Sequence, residues 1–141
     1  MSARLGTPTE VNLAVGAVGG SFTRTLSVPS GGGPAILNML SGTWTASAGA
    51  GSRQLAVQVK DAVGNILITQ PVNAIFGATG VGVITAGMGS PVGNTLIGST
   101  TYFTVPIPGE LSLPAGATFG IIDLASISAT DTLSLNAILV Y

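Results

Sequence analysis

Asp123 and Asp131 are the first place to look for chemistry in this chain. Two carboxylates brought together can divide acid and base work across a glycosidic bond, or hold a hard cation. Both also have a plainer reading. Asp131 follows Ser128-Ala129-Thr130 in a turn-like stretch, where Asp accepts local backbone bonds. Asp123 falls in a strand, facing solvent or pairing with Arg53. Arg53 follows a Gly-Ala-Gly-Ser loop and can either anchor an acidic group on a partner or pair internally with Asp123 or Asp61; the internal pair is the expected one. Asp61 and Asn65 flank a tight turn, but one carboxylate is too few for a tight calcium cage, and hairpin geometry accounts for both. Gly31-Gly32-Gly33-Pro34 has no following Lys-Ser/Thr and opens no helix, so it reads as a loop between strands, not a phosphate cradle. Trp44, Tyr102, Phe103 and Tyr141 could form a platform for stacking sugars, although core or interface packing is the expected use of so few aromatics. No catalytic, cofactor-binding or metal-binding residue is assigned, and no enzyme activity is expected.

The reason is compositional. The 141 residues include four basic and five acidic side chains, no histidine and no cysteine. Charged residues are 6% of the chain, against about a quarter in an ordinary soluble domain. Most of the side chains that perform acid–base, nucleophilic or metal chemistry are thus missing. The basic residues Arg4, Arg24, Arg53 and Lys60 are scattered, which argues against nucleic acid as a partner. Residues 62–109 carry no charge, yet Gly, Pro, Asn, Ser and Thr break every apolar run well short of the roughly 20 residues a spanning helix needs, so no membrane partner is expected. The segment Leu13–Val18 is short and interrupted by Gly16, with Glu10 where a secretory signal would carry basic residues. A net charge of −1 leaves little repulsion between copies, so association is easy.

Alternation of apolar and polar residues, not helical periodicity, runs through the chain. Leu55, Val57 and Val59 alternate with Ala56, Gln58 and Lys60; Asp61–Asn65 supplies a turn; and Ile66–Thr69 resumes as the second arm of a hairpin. Further strands are expected at 22–28, 35–46, 79–86, 100–107, 118–125 and 132–141, with a long loop over 87–98 and at most one helical turn near 126–130. The pattern predicts an all-β fold: a single jelly-roll-like β-sandwich of about eight strands over residues 21–141, preceded by an extended N-terminal arm over 1–20. In the last strand Leu133, Leu135, Ala137, Leu139 and Tyr141 form the core-facing set, while Ile138 and Val140 make the opposite face apolar as well. Such a strand is either doubly covered or part of a subunit interface, and the interface is favoured, with Ile138, Val140 and Tyr141 as its candidate residues. In the arm, Arg4, Leu5, Val11 and Leu13 are the candidate partner contacts.

Several segments, in order, resemble small β-sandwich structural proteins from the virions of tailed bacteriophages. They are Ser27-Val28-Pro29 with its glycine loop; Gly51–Val59 leading into Asp61–Leu67; Leu113-Pro114-Ala115-Gly116-Ala117-Thr118; and Ile127–Leu135, spanning roughly residues 22–141. The chain departs from that pattern at Gly77–Gly98 and in its few charges. The resemblance implies a capsid decoration, or cement, protein: a homotrimer on the outer capsid surface, bound to the major capsid protein and assembled in the host cytoplasm. The alternative it admits is a tail, collar or fibre-associated component that binds a host glycan or another tail part. No cofactor is implied.

Overall fold

The computed structural model describes residues 10–18, 23–29, 34–109, 111–125 and 131–140. The alternation seen in the sequence becomes eleven strands and no helix among these residues: β1 (Glu10–Val18), β2 (Thr23–Ser27), β3 (Ala35–Thr45), β4 (Leu55–Lys60), β5 (Ile66–Pro71), β6 (Val81–Met88), β7 (Gly93–Ile97), β8 (Thr100–Ile107), β9 (Ser112–Leu113), β10 (Thr118–Asp123) and β11 (Thr132–Val140). They form a β-sandwich. The larger, seven-stranded sheet runs β1-β11-β3-β6-β8-β7, with β9 also on β3, and the four-stranded sheet runs β2-β10-β4-β5. The β6–β8 pair is parallel; every other pairing is antiparallel. Because β8 lies between β6 and β7, residues 89–92 must carry the chain past it before β7 turns back at Gly98-Ser99.

Period-two patterning places the core. Leu133, Leu135, Ala137 and Leu139 of β11 are buried on one face, as are Leu37, Leu40 and Trp44 of β3, Ile84 and Ala86 of β6, and Phe103, Val105 and Ile107 of β8. From the smaller sheet they meet Leu55, Val57 and Val59 of β4 and Phe119 and Ile121 of β10. In β3 the alternation slips at Asn38-Met39, where the pairing with β11 shifts between Ile138 and Leu139. An extra residue there is a bulge, and it returns Leu40 to the core face. The smaller sheet presses closely on the larger at Gly42. A Cβ there would stand 2.6 Å from Ile121 Cδ1 and 2.9 Å from the Ser134 carbonyl, so only glycine fits without movement.

Three strands were not legible as such. Residues 10–18 fall within the expected extended N-terminal arm, but β1 pairs with β11 from Glu10↔Val140 to Val18↔Leu133 and forms one edge of the larger sheet. The glycines at 16, 19 and 20 obscured the alternation of Val11, Leu13 and Val15 with Asn12 and Ala14, and backbone pairing does not require bulky side chains. β7 lies inside the expected 87–98 loop. It is exposed along almost its whole length, so no buried face marks it in the sequence; its backbone bonds to β8 define it. β9 has two residues, too few to show a period. The expected helical turn near 126–130 lies outside the described residues, as do Arg4, Leu5 and Tyr141. No helix among the described residues is long and apolar enough to cross a membrane.

Replacing Gly42 by alanine tests the sheet-to-sheet contact. Overpacking of this kind costs about 1–3 kcal/mol. The urea midpoint is expected to fall accordingly, whereas Gly77→Ala, where a Cβ meets nothing within 4 Å, should change it little.

Candidate functional site

Three of the chemistry-bearing residues converge where the chain crosses from one sheet to the other. β3 ends at Thr45, and residues 46–54 lead across to β4 in the smaller sheet. Pairing of β11 with β3 sets Thr132 opposite Thr45 and Leu133 opposite Trp44, so Asp131, just before β11, arrives level with the start of the crossing. Arg53, near the crossing's far end, forms a β-bridge with Phe76: its N–H donates to the Phe76 carbonyl at 2.7 Å, and the Phe76 N–H donates back at 3.2 Å. These contacts aim the guanidinium at Asp131.

The resulting cluster is buried and saturated. Arg53 and Asp131 are fully buried and form a two-point ion pair: Nε donates to Oδ2 at 2.8 Å and Nη2 to Oδ1 at 2.9 Å. Oδ2 also accepts from the Trp44 indole N–H at 2.9 Å, and Oδ1 from the Ser47 amide at 2.8 Å. The remaining guanidinium donors reach the carbonyls of Gly49 (2.9 Å) and Gly51 (2.7 Å) and the Ser47 hydroxyl (3.4 Å). An arginine has five N–H donors and a carboxylate about four acceptor positions, and here each is occupied. Burial alone would push the Asp131 carboxyl pKa up, but the Arg53 bonds, the Ser47 amide and the Trp44 N–H hold it well below the usual carboxylate range. The hydrogen bond to Asp131 keeps the Arg53 guanidinium above its ordinary value against the opposing effect of burial, and the charges of Asp131 and Asp123 add to this.

This arrangement corrects several sequence-based expectations. Arg53 does pair internally, but with Asp131 and not with Asp123 or Asp61. Among the described residues, Asp131 bonds not to its own turn but to Trp44, Ser47 and Arg53, each more than 75 residues away in sequence. Asp123 is buried, not facing solvent, and its Oδ1 accepts from the amides of Gln54 (3.0 Å) and Ala125 (2.9 Å). The two aspartates therefore hold different pieces of backbone. Asp61 behaves as its hairpin predicts. It accepts from the Asn65 side chain, the Asn65 amide and the Val63 amide, which lowers its pKa, and Gly64 takes the positive φ of 93° that the turn requires.

Among the described residues, the candidate aromatics share no platform; Tyr141 lies outside them. Trp44 and Phe103 are buried in the core, while Tyr102 is exposed on the outer face of β8. A shallow cleft of about 310 Å³ lies beyond the crossing, lined by Ile75, Phe76, Thr79, Leu96, Ser99 and Thr101 among others. It holds hydroxyl groups but no titratable side chain. Thr79 takes φ 61°, unusual for a β-branched residue, and its amide donates to the Ser47 carbonyl at 2.9 Å, tying the cleft to the crossing. Among the described residues no group of three His, Cys, Asp or Glu could hold a metal ion.

Ile138 and Val140 stand half-buried on the outer face of the larger sheet, paired with Met39 and Ile36 of β3. Val11 and Leu13 pair through their backbones with Leu139 and Ala137. Comparison with protein-family models, with curated proteins and with solved structures finds no match to this chain.

The cluster's role is structural, and acid tests it. Asp131 has a lowered folded-state pKa, so its contribution is complete above the unfolded value near 4 and fades as pH falls below it. Asp131→Asn leaves Arg53 buried without its counter-charge and should cost about 3–5 kcal/mol at pH 7. Urea denaturation of the variant should also show a flatter loss of stability between about pH 5 and pH 2 than the parent. Equal acid dependence in both proteins would remove Asp131 from this role.

Proposed function

We propose that this chain is a structural assembly protein, and that its place is on a virion: a capsid decoration protein that binds the outer surface of a phage head as a homotrimer and stabilises it. The observation that carries the assembly part is where the charges lie. From residue 27 onward the described charged side chains are Arg53, Lys60, Asp61, Asp123 and Asp131, and three of these are buried. Only Lys60 and Asp61 remain toward solvent, side by side at one hairpin. The rest of that surface relies on hydroxyls, amides and apolar groups, with Val63, Ile66, Ile75, Leu96 and Ile97 all more than half exposed. A surface of this kind favours contact over isolation.

The virion part rests on the resemblance of residues 22–141 to small phage structural proteins. The apolar outer face formed by Ile138, Val140, Ile36 and Met39 is the candidate contact between trimer subunits. The major capsid protein is the proposed larger partner, with several weak contacts per trimer adding through effective concentration.

Purified protein is expected to sediment as an oligomer and to co-sediment saturably with phage heads stripped of their decoration, raising the temperature at which those heads rupture. A monomer of 13.8 kDa at all concentrations, with no binding to heads, contradicts the proposal.

A further inference from the structure

Four strands end the two sheets: β1 and β7 in the larger, β2 and β5 in the smaller. A free strand edge presents unpaired N–H and C=O groups, and proteins ordinarily blunt it with charge, proline, a bulge or a very short strand. β1 carries Glu10 and an irregularity between Val15 and Val18. β2 carries Arg24. β5 has a register shift opposite Val59/Lys60 and ends in Pro71. β7, Gly93-Asn94-Thr95-Leu96-Ile97, has none of these protections. Its five pairs with β8 run without a break, and no described strand occupies its other side.

We infer that the free edge of β7 pairs antiparallel with β7 of a second copy of this chain, across a two-fold axis at Thr95. The backbone requires an extended strand as occupant, and the surroundings favour an identical one. β5, β6, β7, β8 and the loops joining them lie in the stretch 62–109 that contains no charge, so two copies meet there without repulsion and without desolvating an ion. The strand is also complementary to itself in shape. With Thr95 facing Thr95 of the second copy, each Ile97 falls opposite the other copy's Gly93. Ile97 is 63% exposed, and the position of a Cβ on Gly93 meets only the Thr104 hydroxyl, at 3.4 Å. The side chain lacking at 93 leaves room for the one projecting at 97. A two-fold contact cannot close a ring of three, so this edge is additional to the proposed trimer contact. It links separate trimers, or makes a dimer where no trimer forms.

The chain has no cysteine, which makes the test clean. Directly opposed residues of an antiparallel pair have Cβ atoms about 5 Å apart, within reach of a disulfide, whereas two copies of residue 97 in this register lie about 14 Å apart. Under mild oxidation Thr95→Cys should cross-link to a homodimer at least ten-fold faster than Ile97→Cys. Independently, Thr95→Lys sets two ammonium groups against each other on the axis and should halve the mass measured by light scattering, with the melting midpoint of the separated species unchanged. Equal cross-linking of the two cysteine variants overturns the inference, as does a mass unaffected by Thr95→Lys. A Thr95→Cys chain that cross-links only to a different protein would give the edge to a foreign strand and likewise overturn it.

Discussion

The carboxylate of Asp131 is the point on which the sandwich turns. It accepts bonds from the end of β3, from the segment that leaves β3, and from the arginine at the far end of that segment, while its own backbone opens β11. A crossing between sheets must take polar backbone through the rim of an apolar core, where an unpaired group is costly. Here a buried ion pair supplies the missing partners, the guanidinium closing the Gly49 and Gly51 carbonyls and the carboxylate the Ser47 amide. Removing one member would strand the other, so the pair specifies the geometry of the crossing more than it adds net stability.

The same pair has no acceptor position to spare. A catalytic carboxylate needs a free lone pair or a transferable proton, and Asp131 has its acceptor positions filled by protein. Burying Arg53, Asp123 and Asp131 also removes charge from a surface that had little. Structure and surface are thus linked: the interior fixes the sandwich with ions that most proteins would leave outside. Under the proposed function, the exterior associates through backbone edges and apolar faces.

Much of the fold was readable because the core strands alternate cleanly. Leu55-Val57-Val59 and Leu133-Leu135-Ala137-Leu139 announce their buried faces, and Asp61-Ala62-Val63-Gly64-Asn65 announces its turn. β7 was hidden because an edge strand exposed on both faces has no period to detect, and β1 because small residues dilute its pattern. The Arg53–Asp131 pair was hidden for a different reason. It depends on the register of β11 against β3, a contact between residues 78 apart in sequence, and local spacing carries no information about that register. The clue available was chemical: a buried strand containing the only tryptophan needs an acceptor for its N–H, a buried arginine needs a counter-charge, and the chain has only five carboxylate side chains to offer.

Sedimentation equilibrium as a function of salt addresses the central claim, that this protein buries three of its few charges and associates through a sparsely charged exterior. From about 0.05 to 1 M sodium chloride the Debye length shrinks several-fold, and contacts built on exposed ion pairs weaken. Association through apolar faces and strand edges should hold constant or strengthen across that range. Dissociation into monomers as salt rises would contradict the account.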